Sequence, residues 1–300
     1  MTSFPLAVRA PGATAPSASP IRTQIRDLIY RVAGIFQANN KLGLLQERCH
    51  KRMQVLGIAS LRDYYECLTV KPMRQAELVS LLNVITVGET CFFRNRAQLD
   101  AIQKIALPRI IEAKSKLSPQ QLRIWSAGCS TGEEPYTLSM ILLEEFQARL
   151  QGWTVEILGT DLNERSIAHA KAGSYGEHST RNLDARFRSK YSNAQENKLR
   201  VKPEVQSRVN FSRLNLLDDA RVVFLKGLDL ILCCNVLIYF DAVSKKRVIQ
   251  HFYNNLLPHG YLFLGQSESL FGVSKEFRLV HMPLTTGSLK SGRRLADPSK

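Results

Sequence analysis

Residues 124–136 read IWSAGCSTGEEPY, and this stretch decides the fold of the chain. A β-branched and aromatic run passes into small residues and then into an acidic step that contains proline. The pattern predicts a strand, a tight turn and the first turn of a helix. Gly128 and Gly132 permit backbone angles and close approaches that a Cβ would block. Ser130 or Thr131 is placed to cap the helix, and the proline suits its first turn.

The turn after this strand also predicts a ligand site, because free backbone groups at a helix N-terminus receive part of a nucleotide-like ligand. The stretch lacks the Gly-Lys-Ser/Thr ending of a loop that grips phosphates. Glu133 and Glu134 lie at the mouth of the turn, and their charge disfavours a polyphosphate. The acidic pair fits a ligand that carries positive charge, such as S-adenosylmethionine with its ammonium and sulfonium groups.

The composition predicts a soluble protein with one large domain or two smaller ones. The chain has 300 residues, 44% of them hydrophobic, and a formal net charge of +15. No apolar run approaches the roughly 20 residues that span a bilayer, so we expect no membrane insertion. The N-terminus lacks the apolar core of a signal peptide, and the six cysteines show no metal-ligand spacing. We therefore expect a reduced, cytoplasmic protein without a metal site.

The pattern along the chain predicts two folded parts. In the first part, apolar residues from Ile25 to Ile85 recur at helical spacing, which predicts an all-α domain. The second part alternates strands with helices. This alternation predicts an α/β fold with a doubly wound parallel sheet and a ligand at the carboxyl ends of its strands. The expected units are a disordered tail at 1–20, a helical domain at 21–95, an α/β domain at 96–290 and a disordered tail at 291–300.

Individual elements of the second part are also predicted. The candidate strands are residues 122–127, 155–160, 209–211, 228–233 and 261–265. The candidate helices are residues 98–113, 135–150, 164–172 and 243–256, and residues 278–281 and 286–289 are expected to form an antiparallel edge hairpin. Residues 176–205 fit the alternation poorly, because this segment is polar, basic and long for a connection. It is interpreted as a small inserted subdomain, with a disordered loop as the alternative.

Polar residues at the ends of the second and third strands are candidate ligands of a nucleoside. Asp161 lies at the tip of the second strand, where a carboxylate accepts hydrogen bonds from both ribose hydroxyls. Alternatively, Asp161 or Asn163 caps the following helix. Together with the glycine-rich turn, the position favours the ribose. Asn215 and Leu216, past the third strand, offer a hydrogen bond to the adenine edge and an apolar wall.

The fourth strand is apolar enough to be central and buried, and Asn235 and Tyr239 emerge at its carboxyl end. The ring of Tyr239 is placed to pack beside a sulfonium in a cation–π contact. The alternative is that Tyr239 and Phe240 are core aromatics. At the junction of the two parts, residues 90–94 read TCFFR, which indicates a site wall, a packed linker, or both with Arg94 pointing into the cleft.

These motifs together resemble the CheR family, the glutamate O-methyltransferases of chemotaxis receptors. The resemblance covers residues 25–289 and rests on motifs in family order. They are TxFFR at 90–94, STGEEPY at 130–136, TD at 160–161, NVxIYFD at 235–241 and GxSE at 265–268. The helical part adds Lys41, Arg48, Arg52, Leu56-Gly57 and Tyr64-Tyr65. Each motif alone is weak, whereas the ordered set is highly specific.

The resemblance implies a Rossmann-like domain that uses S-adenosylmethionine and releases S-adenosylhomocysteine. Together with Gly128 of the turn, the residues expected at the cofactor are Thr90, Arg94, Ala127, Glu133, Asp161, Asn215, Leu216 and Asn235. The catalytic candidates are Arg94, to steer the acceptor carboxylate, and Tyr239, to position the methyl group. The implied acceptor, a glutamate with an unperturbed pKa of ~4.3, is already ionised at neutral pH. No general base or metal is needed, and alignment and exclusion of water do most of the work.

The resemblance also implies partners. Lys41, Arg48, Lys51 and Arg52 fall at spacings that share one helix face, and in the family this helix docks on the acidic helical cytoplasmic domain of a receptor. The alternative is a solvated surface without a partner. Some members bind a receptor's C-terminal pentapeptide by strand addition at the inserted segment, through a glycine-bearing loop. No glycine follows Gly176 in this insert, so we expect no such binding.

Two other functions are weighed against this one. Cys234 stands where the family usually has an arginine, and loss of that guanidinium suggests a cofactor-binding regulator with impaired catalysis. The net charge of +15 suggests a nucleic-acid methyltransferase. The chain lacks both the Asn-Pro-Pro-aromatic tetrad of base amination and a Pro-Cys nucleophile for cytosine. We therefore expect no nucleic-acid partner.

Overall fold

A computed structural model describes residues 20–290, apart from residues 71, 87 and 284. The predicted disordered tails lie outside the described residues, except that Pro20 is the first residue of a helix. No helix in the described part of the chain is both long enough and apolar enough to cross a membrane.

The N-terminal part is helical, as predicted. Its helices are α1 (Pro20–Ala33), α2 (Leu42–Leu56), α3 (Leu61–Thr69) and α4 (Arg74–Ile85). Their apolar faces form one core, in which Ile25, Ile29, Leu45 and Leu81 are at most 2% exposed. Ser60 caps α3 by accepting a hydrogen bond from the backbone N–H of Asp63, because a hydroxyl at this position satisfies a free helix donor. A bridge of α5 (Arg96–Ala101), a π-helical turn (Ile102–Ala106) and α6 (Leu107–Lys114) leads to the second part.

The second part is built on a seven-stranded sheet. Its elements are β1 (Gln121–Ala127), α7 (Glu133–Glu145), β2 (Thr154–Asp161), α8 (Glu164–Ala172), the insert, β6 (Val209–Arg213), α12 (Asp219–Val222), β7 (Leu228–Cys233), α13 (Ala242–Asn255), β8 (Leu256–Leu264), β9 (Phe277–Met282) and β10 (Thr285–Lys290). The strand order is β6-β2-β1-β7-β8-β10-β9. The pairs from β6 to β8 are parallel, and β10 pairs antiparallel with both β8 and β9. The predicted parallel sheet and edge hairpin are confirmed.

Alternate residues of the central strands enter two separate cores, one on each face of the sheet. Ile124 of β1 packs in the core formed with α6 and α7. Its neighbour Trp125 packs in the other core against Phe252 of α13, with ring centroids 5.2 Å apart. Because successive strand side chains point to opposite faces, a strand that is buried on both sides needs a continuous apolar run. The sheet is therefore covered by helices on both faces, as the apolar sequences of β1 and β7 predict.

The structure corrects the start and the end of α7. The N-cap residue is Gly132, with φ +93°, and no side chain caps the helix, so the expectation for Ser130 or Thr131 was wrong. A glycine adopts this left-handed angle without the steric cost that other residues would meet. The helix ends at Glu145, five residues before the predicted Leu150.

The inserted segment is folded. Its elements are β3 (Ser174–Tyr175), α9 (Glu177–Thr180), α10 (Ala185–Tyr191), β4 (Ser192–Gln195), β5 (Lys198–Val201) and α11 (Pro203–Gln206). The three strands form an antiparallel sheet in the order β3-β5-β4. Glu144 at the end of α7 pairs with Arg186 and Lys190 and accepts a hydrogen bond from the hydroxyl of Tyr191 at 2.6 Å. These contacts fasten the folded insert to α7, so the insert is a small subdomain and not the alternative of a disordered loop.

Candidate active site

A pocket lies at the carboxyl ends of β1, β2, β6 and β7, where a doubly wound sheet is expected to bind its ligand. The end of α1, Thr86, residues 88–91 and Arg94 close its side. The predicted site residues that line it are Thr90, Arg94, Gly128, Asp161, Asn215, Leu216, Asn235 and Tyr239. Two predicted residues, Ala127 and Glu133, do not line it.

Gly128 allows the turns after β1 and β7 to meet at the floor of the pocket. Its φ is +81°, and a Cβ at this position would lie 2.3 Å from Cγ2 of Val236. A larger residue would therefore be strained by its backbone angle and would also push the two turns apart. The expected close approach at Gly128 is present. The group that approaches it is the side chain of Val236, and Gly128 also lines the pocket.

Asp161 faces the pocket from the tip of β2. Its Oδ2 accepts a hydrogen bond from the backbone N–H of Ser130 at 2.8 Å, and its Oδ1 accepts one from the N–H of Asn163 at 2.8 Å. Burial raises the pKa of Asp161, while these backbone donors oppose the shift. Asn163 is the N-cap of α8, since its side chain accepts from Arg165 and Ser166. Of the two residues considered as the cap of α8, Asn163 is the cap. The carboxylate of Asp161 lies at the pocket.

Of the two adjacent glutamates, the pocket is lined by Glu134 and not by the predicted Glu133. Glu133 is 1% exposed, and its Oε2 accepts a hydrogen bond from the hydroxyl of Thr131 at 2.7 Å. Successive residues of a helix point about 100° apart, so only one of the pair faces the pocket. Ala127, also 1% exposed, belongs to the core beneath the sheet. The structure places Ala127 and Glu133 behind the pocket lining, and a role for them at the cofactor stays a prediction.

Glu268 holds the loop after β7 in shape. Its Oε2 accepts hydrogen bonds from the backbone N–H groups of Asn235 at 2.9 Å and Gly265 at 2.8 Å, and its Oε1 accepts one from Ile238 at 3.3 Å. Asn235 has φ +61°, a strained angle that this clamp supports. Glu268 was not among the predicted site residues, although the GxSE motif that contains it was recognised.

Tyr239 lies on the pocket wall and is 46% exposed, whereas Phe240 is 9% exposed in the core. Helix α1 and the residues that follow it secure this loop. The backbone N–H of Phe36 donates to the carbonyl of Tyr239 at 2.8 Å, and the hydroxyl of Tyr30 donates to Oδ2 of Asp241 at 2.9 Å. These contacts join residues about 200 positions apart, and no local pattern in the sequence predicts them.

Asn215 connects the pocket to α1. Its side-chain amide donates to the carbonyl of Val32 at 2.7 Å, and its oxygen accepts from the N–H of Leu217 at 3.0 Å. The side chain is thereby fixed at the pocket edge, with its second amide hydrogen available for a ligand. A role for Asn215 at the adenine stays a prediction.

Arg94 is exposed at the mouth of the pocket and donates a hydrogen bond to the carbonyl of Glu89. The two preceding aromatics are buried. Phe92 packs edge-on against Tyr175 with centroids 4.9 Å apart, and Phe93 packs on Phe187 at 4.6 Å. The segment is thus both a packed linker and a site wall.

The four predicted docking residues do not share one solvent face. Arg52 is 9% exposed, and its guanidinium forms two hydrogen bonds with Glu77, at 3.0 and 2.7 Å. Arg48 donates to the carbonyl of Val84, whereas Lys41 and Lys51 are exposed. The charge of Arg52 is thus paired inside the helical domain, and a docking role for this residue stays a prediction.

With this geometry in place, comparison with known proteins identifies the family. Residues 23–86 match the model described as the all-alpha domain of CheR methyltransferase, and residues 88–286 match its SAM binding domain. The chain belongs to the CheR methyltransferase family. It is a methyltransferase that depends on S-adenosylmethionine, as the resemblance predicted.

Curated relatives cover most of the chain. A chemotaxis protein methyltransferase 2 of Vibrio cholerae is 32% identical over 91% of this chain and 94% of its own length. The chemotaxis protein methyltransferase of Borreliella burgdorferi is 34% identical over 82% and 86%. Chemotaxis protein methyltransferase 1 of Pseudomonas aeruginosa is 35% identical over 85% and 92%.

The pocket residues fit this cofactor. Asp161 keeps free lone pairs for ribose hydroxyls, and Glu134 offers an acidic group to a ligand with positive charge. Within residues 20–290, as far as they are described, no cluster of three or more His, Cys, Asp or Glu side chains is arranged to hold a metal. The chemistry that the cofactor supplies is an activated methyl group on a sulfonium.

Proposed function

We propose that this protein transfers the methyl group of S-adenosylmethionine to glutamate side chains in the helical cytoplasmic domain of methyl-accepting chemotaxis receptors. The charge arrangement of the pocket carries the proposal. The interior presents the carboxylates of Asp161 and Glu134, which suit a donor with positive charge. Arg94 stands at the exposed mouth and suits an acceptor with negative charge. The names of the relatives, chemotaxis protein methyltransferases, support the same activity.

The protein's contribution to the reaction is positioning. Glu268 and the end of α1 fix the loop that carries Asn235 and Tyr239. Arg94 attracts and orients the acceptor carboxylate, and the half-exposed ring of Tyr239 borders the place where donor and acceptor meet. Because the acceptor is already ionised at neutral pH, the pocket has no proton to remove. Alignment of the reacting groups and exclusion of water supply the acceleration.

The same proposal covers the partners. Lys41 and Lys51 remain exposed on the helical domain, and with the net charge of +15 they suit an acidic helical surface. The insert carries no glycine after Gly176, so binding of a receptor C-terminal pentapeptide is not part of the proposal. The reaction is placed in the cytoplasm, where the receptor helices lie.

Calorimetry with S-adenosylmethionine and S-adenosylhomocysteine tests the cofactor site first, on the parent and on Asp161→Ala. We expect micromolar binding that the substitution abolishes, since Asp161 both faces the pocket and holds the turn at Ser130. A folded parent that binds neither ligand would exclude the methyltransferase reading.

Methyl transfer is then measured with radiolabelled donor on a helical receptor fragment. A glutamate methyl ester is hydrolysed by mild alkali and releases its label as methanol, which separates it from a methylated amine or base. Arg94→Ala is expected to lose most of the transfer, while Arg96→Ala, which changes an exposed arginine two residues away, retains it. Binding of the donor without alkali-labile product on any receptor fragment would favour the impaired regulator instead.

A further inference from the structure

Glu134 is a pocket carboxylate without an ion pair. Its Oε1 accepts a hydrogen bond from the hydroxyl of Ser126 at 2.6 Å, and the thiol of Cys234 contacts it from the end of β7. Among the residues that the structure describes, no lysine, arginine or histidine nitrogen lies within 4.0 Å of this carboxylate. Its direct partners are thus a hydroxyl and a thiol, both of them neutral.

The surroundings leave this charge uncompensated. Burial raises the pKa of Glu134, and the negative charge of Glu268 acts in the same direction. Arg94 opposes the shift from the mouth. Cys234 supplies no charge, because burial raises the pKa of its thiol well above the usual value, and the thiol also donates to Oε1 of Gln98 at 3.3 Å. A cation that entered the pocket beside Glu134 would relieve this unfavourable state.

Glu134 lies at the reacting end of the pocket. It contacts Cys234, which immediately precedes Asn235 of the loop that carries Tyr239. Of the candidates for the nucleoside, Asp161 is the last residue of β2, and Asn215 follows the end of β6, the strand that pairs with β2. The donor and its product differ at the reacting end only. S-adenosylmethionine carries a methylated, positively charged sulfur, and S-adenosylhomocysteine carries a neutral thioether.

We propose that Glu134 makes the pocket discriminate by charge between donor and product, so that the sulfonium ligand is held in preference to the thioether. The inference rests on the proposed methyl transfer and assigns to Glu134 a role in the release of the product. When the methyl group passes to the acceptor oxygen, the carbon–sulfur bond breaks and its electron pair stays on sulfur, which becomes neutral. The carboxylate of Glu134 then faces only neutral groups again. Product release is thereby favoured. The neutral Cys234 is necessary for this discrimination. An arginine at its position would pair with Glu134 and neutralise the negative charge that the sulfonium meets.

The test is the ratio of the dissociation constants of S-adenosylhomocysteine and S-adenosylmethionine, measured by calorimetry. Glu134→Gln keeps the shape and the hydrogen bond to Ser126 but removes the charge. The carboxylate and the sulfonium would lie a few ångströms apart in a partly buried site. Loss of this attraction is expected to lower the ratio of the two dissociation constants by about tenfold. Sinefungin, whose amine is positively charged but has no methyl group to transfer, is expected to lose affinity together with S-adenosylmethionine. This third ligand separates charge from the bulk of the methyl group.

The controls act at the neighbouring position. Cys234→Arg retains Glu134 but supplies a cation, so the ratio is expected to fall as in Glu134→Gln, whereas the neutral Cys234→Ser retains the parent ratio. If the arginine does not fit and the variant fails to fold, Glu134→Gln decides alone. A Glu134→Gln protein that binds all three ligands with the parent ratios would overturn the inference. Absence of binding by the folded parent would instead overturn the proposed function, so the two failures are distinguishable.

Discussion

Replacing Arg52 by methionine tests whether this residue holds the helical domain together or docks a partner. Arg52 and Glu77 form a paired contact through two hydrogen bonds, at 3.0 and 2.7 Å. The hydroxyl of Tyr64 donates to the same carboxylate at 2.7 Å. The side chains of Arg52 and Glu77 are 11% and 3% exposed. In Arg52→Met the carboxylate of Glu77 would remain buried with a single donor.

The expected loss follows from this geometry. Breaking a buried pair by removal of one partner costs about 3–5 kcal/mol, because the remaining charge is left uncompensated. A domain of this size has a total stability of roughly 5–10 kcal/mol, so the change removes a large part of it. The double variant Arg52→Met/Glu77→Leu removes both charges and fills the volume with apolar groups. We expect it to recover most of the loss, since replacing both partners is often neutral.

Urea unfolding is followed by far-UV circular dichroism, which reports the helices of both domains, so the stability of the helical domain is taken from the part of the transition that tryptophan fluorescence does not follow. The two tryptophans, Trp125 and Trp153, both lie in the α/β domain, so their fluorescence reports that domain separately. Lys51→Met is the matched control, because Lys51 is the exposed neighbour on the same helix. An Arg52→Met protein that loses less than about 1 kcal/mol, as Lys51→Met is expected to, would refute the buried pair. That result would favour the predicted role of Arg52 in docking a partner.

Three further outcomes are expected. Glu268→Gln keeps the size of the side chain but weakens its bonds to the backbone N–H groups around Asn235, so affinity for S-adenosylmethionine should fall about tenfold by calorimetry while the melting temperature changes little. Tyr30→Phe loses the hydrogen bond to the loop of Tyr239; methyl-transfer kinetics should show a fewfold lower kcat with KM for the donor unchanged, and an equal rise in KM would argue against a positioning role. The partners of Glu144 lower its pKa from 4.5 to about 2, so its pairs stabilise the fold above the unfolded pKa and lose this effect as pH falls from about 4.5 toward 2. The stability deficit of Glu144→Gln in thermal melts should therefore be largest near neutral pH and shrink over that interval; a deficit independent of pH would contradict the ion pairs.

The two cores of the sheet illustrate how far a sequence pattern reaches. The apolar run in β7 predicted a central buried strand, and the observed β7 has the predicted bounds. The period of the pattern is fixed by backbone geometry, which is local. The same reasoning located Asp161, since the tip of a strand in a parallel sheet is a ligand position in any fold of this class.

The sequence pattern does not reach the choice between adjacent residues of the same type. Glu133 and Glu134 are chemically equal in the sequence, and the rotational phase of α7 decides which of them lines the pocket. That phase depends on where the helix begins, which is set by the left-handed Gly132 and not by the serine or threonine before it. The environment of Arg52 was beyond the sequence pattern for a related reason: its helical spacing is local, but its partner Glu77 lies on another helix.

The sequence by itself determined the helical and α/β parts, the doubly wound sheet, the family and the strand tips that make the pocket. All of these follow from periodicity, from turn chemistry and from motifs of neighbouring residues. Only the tertiary structure decided which glutamate lines the pocket, that Glu268 clamps the loop of Asn235, and that Tyr30 supports the loop of Tyr239 from the helical domain. Those facts join residues far apart in the chain, and the direction of a side chain across such a distance is fixed by packing and not by local sequence.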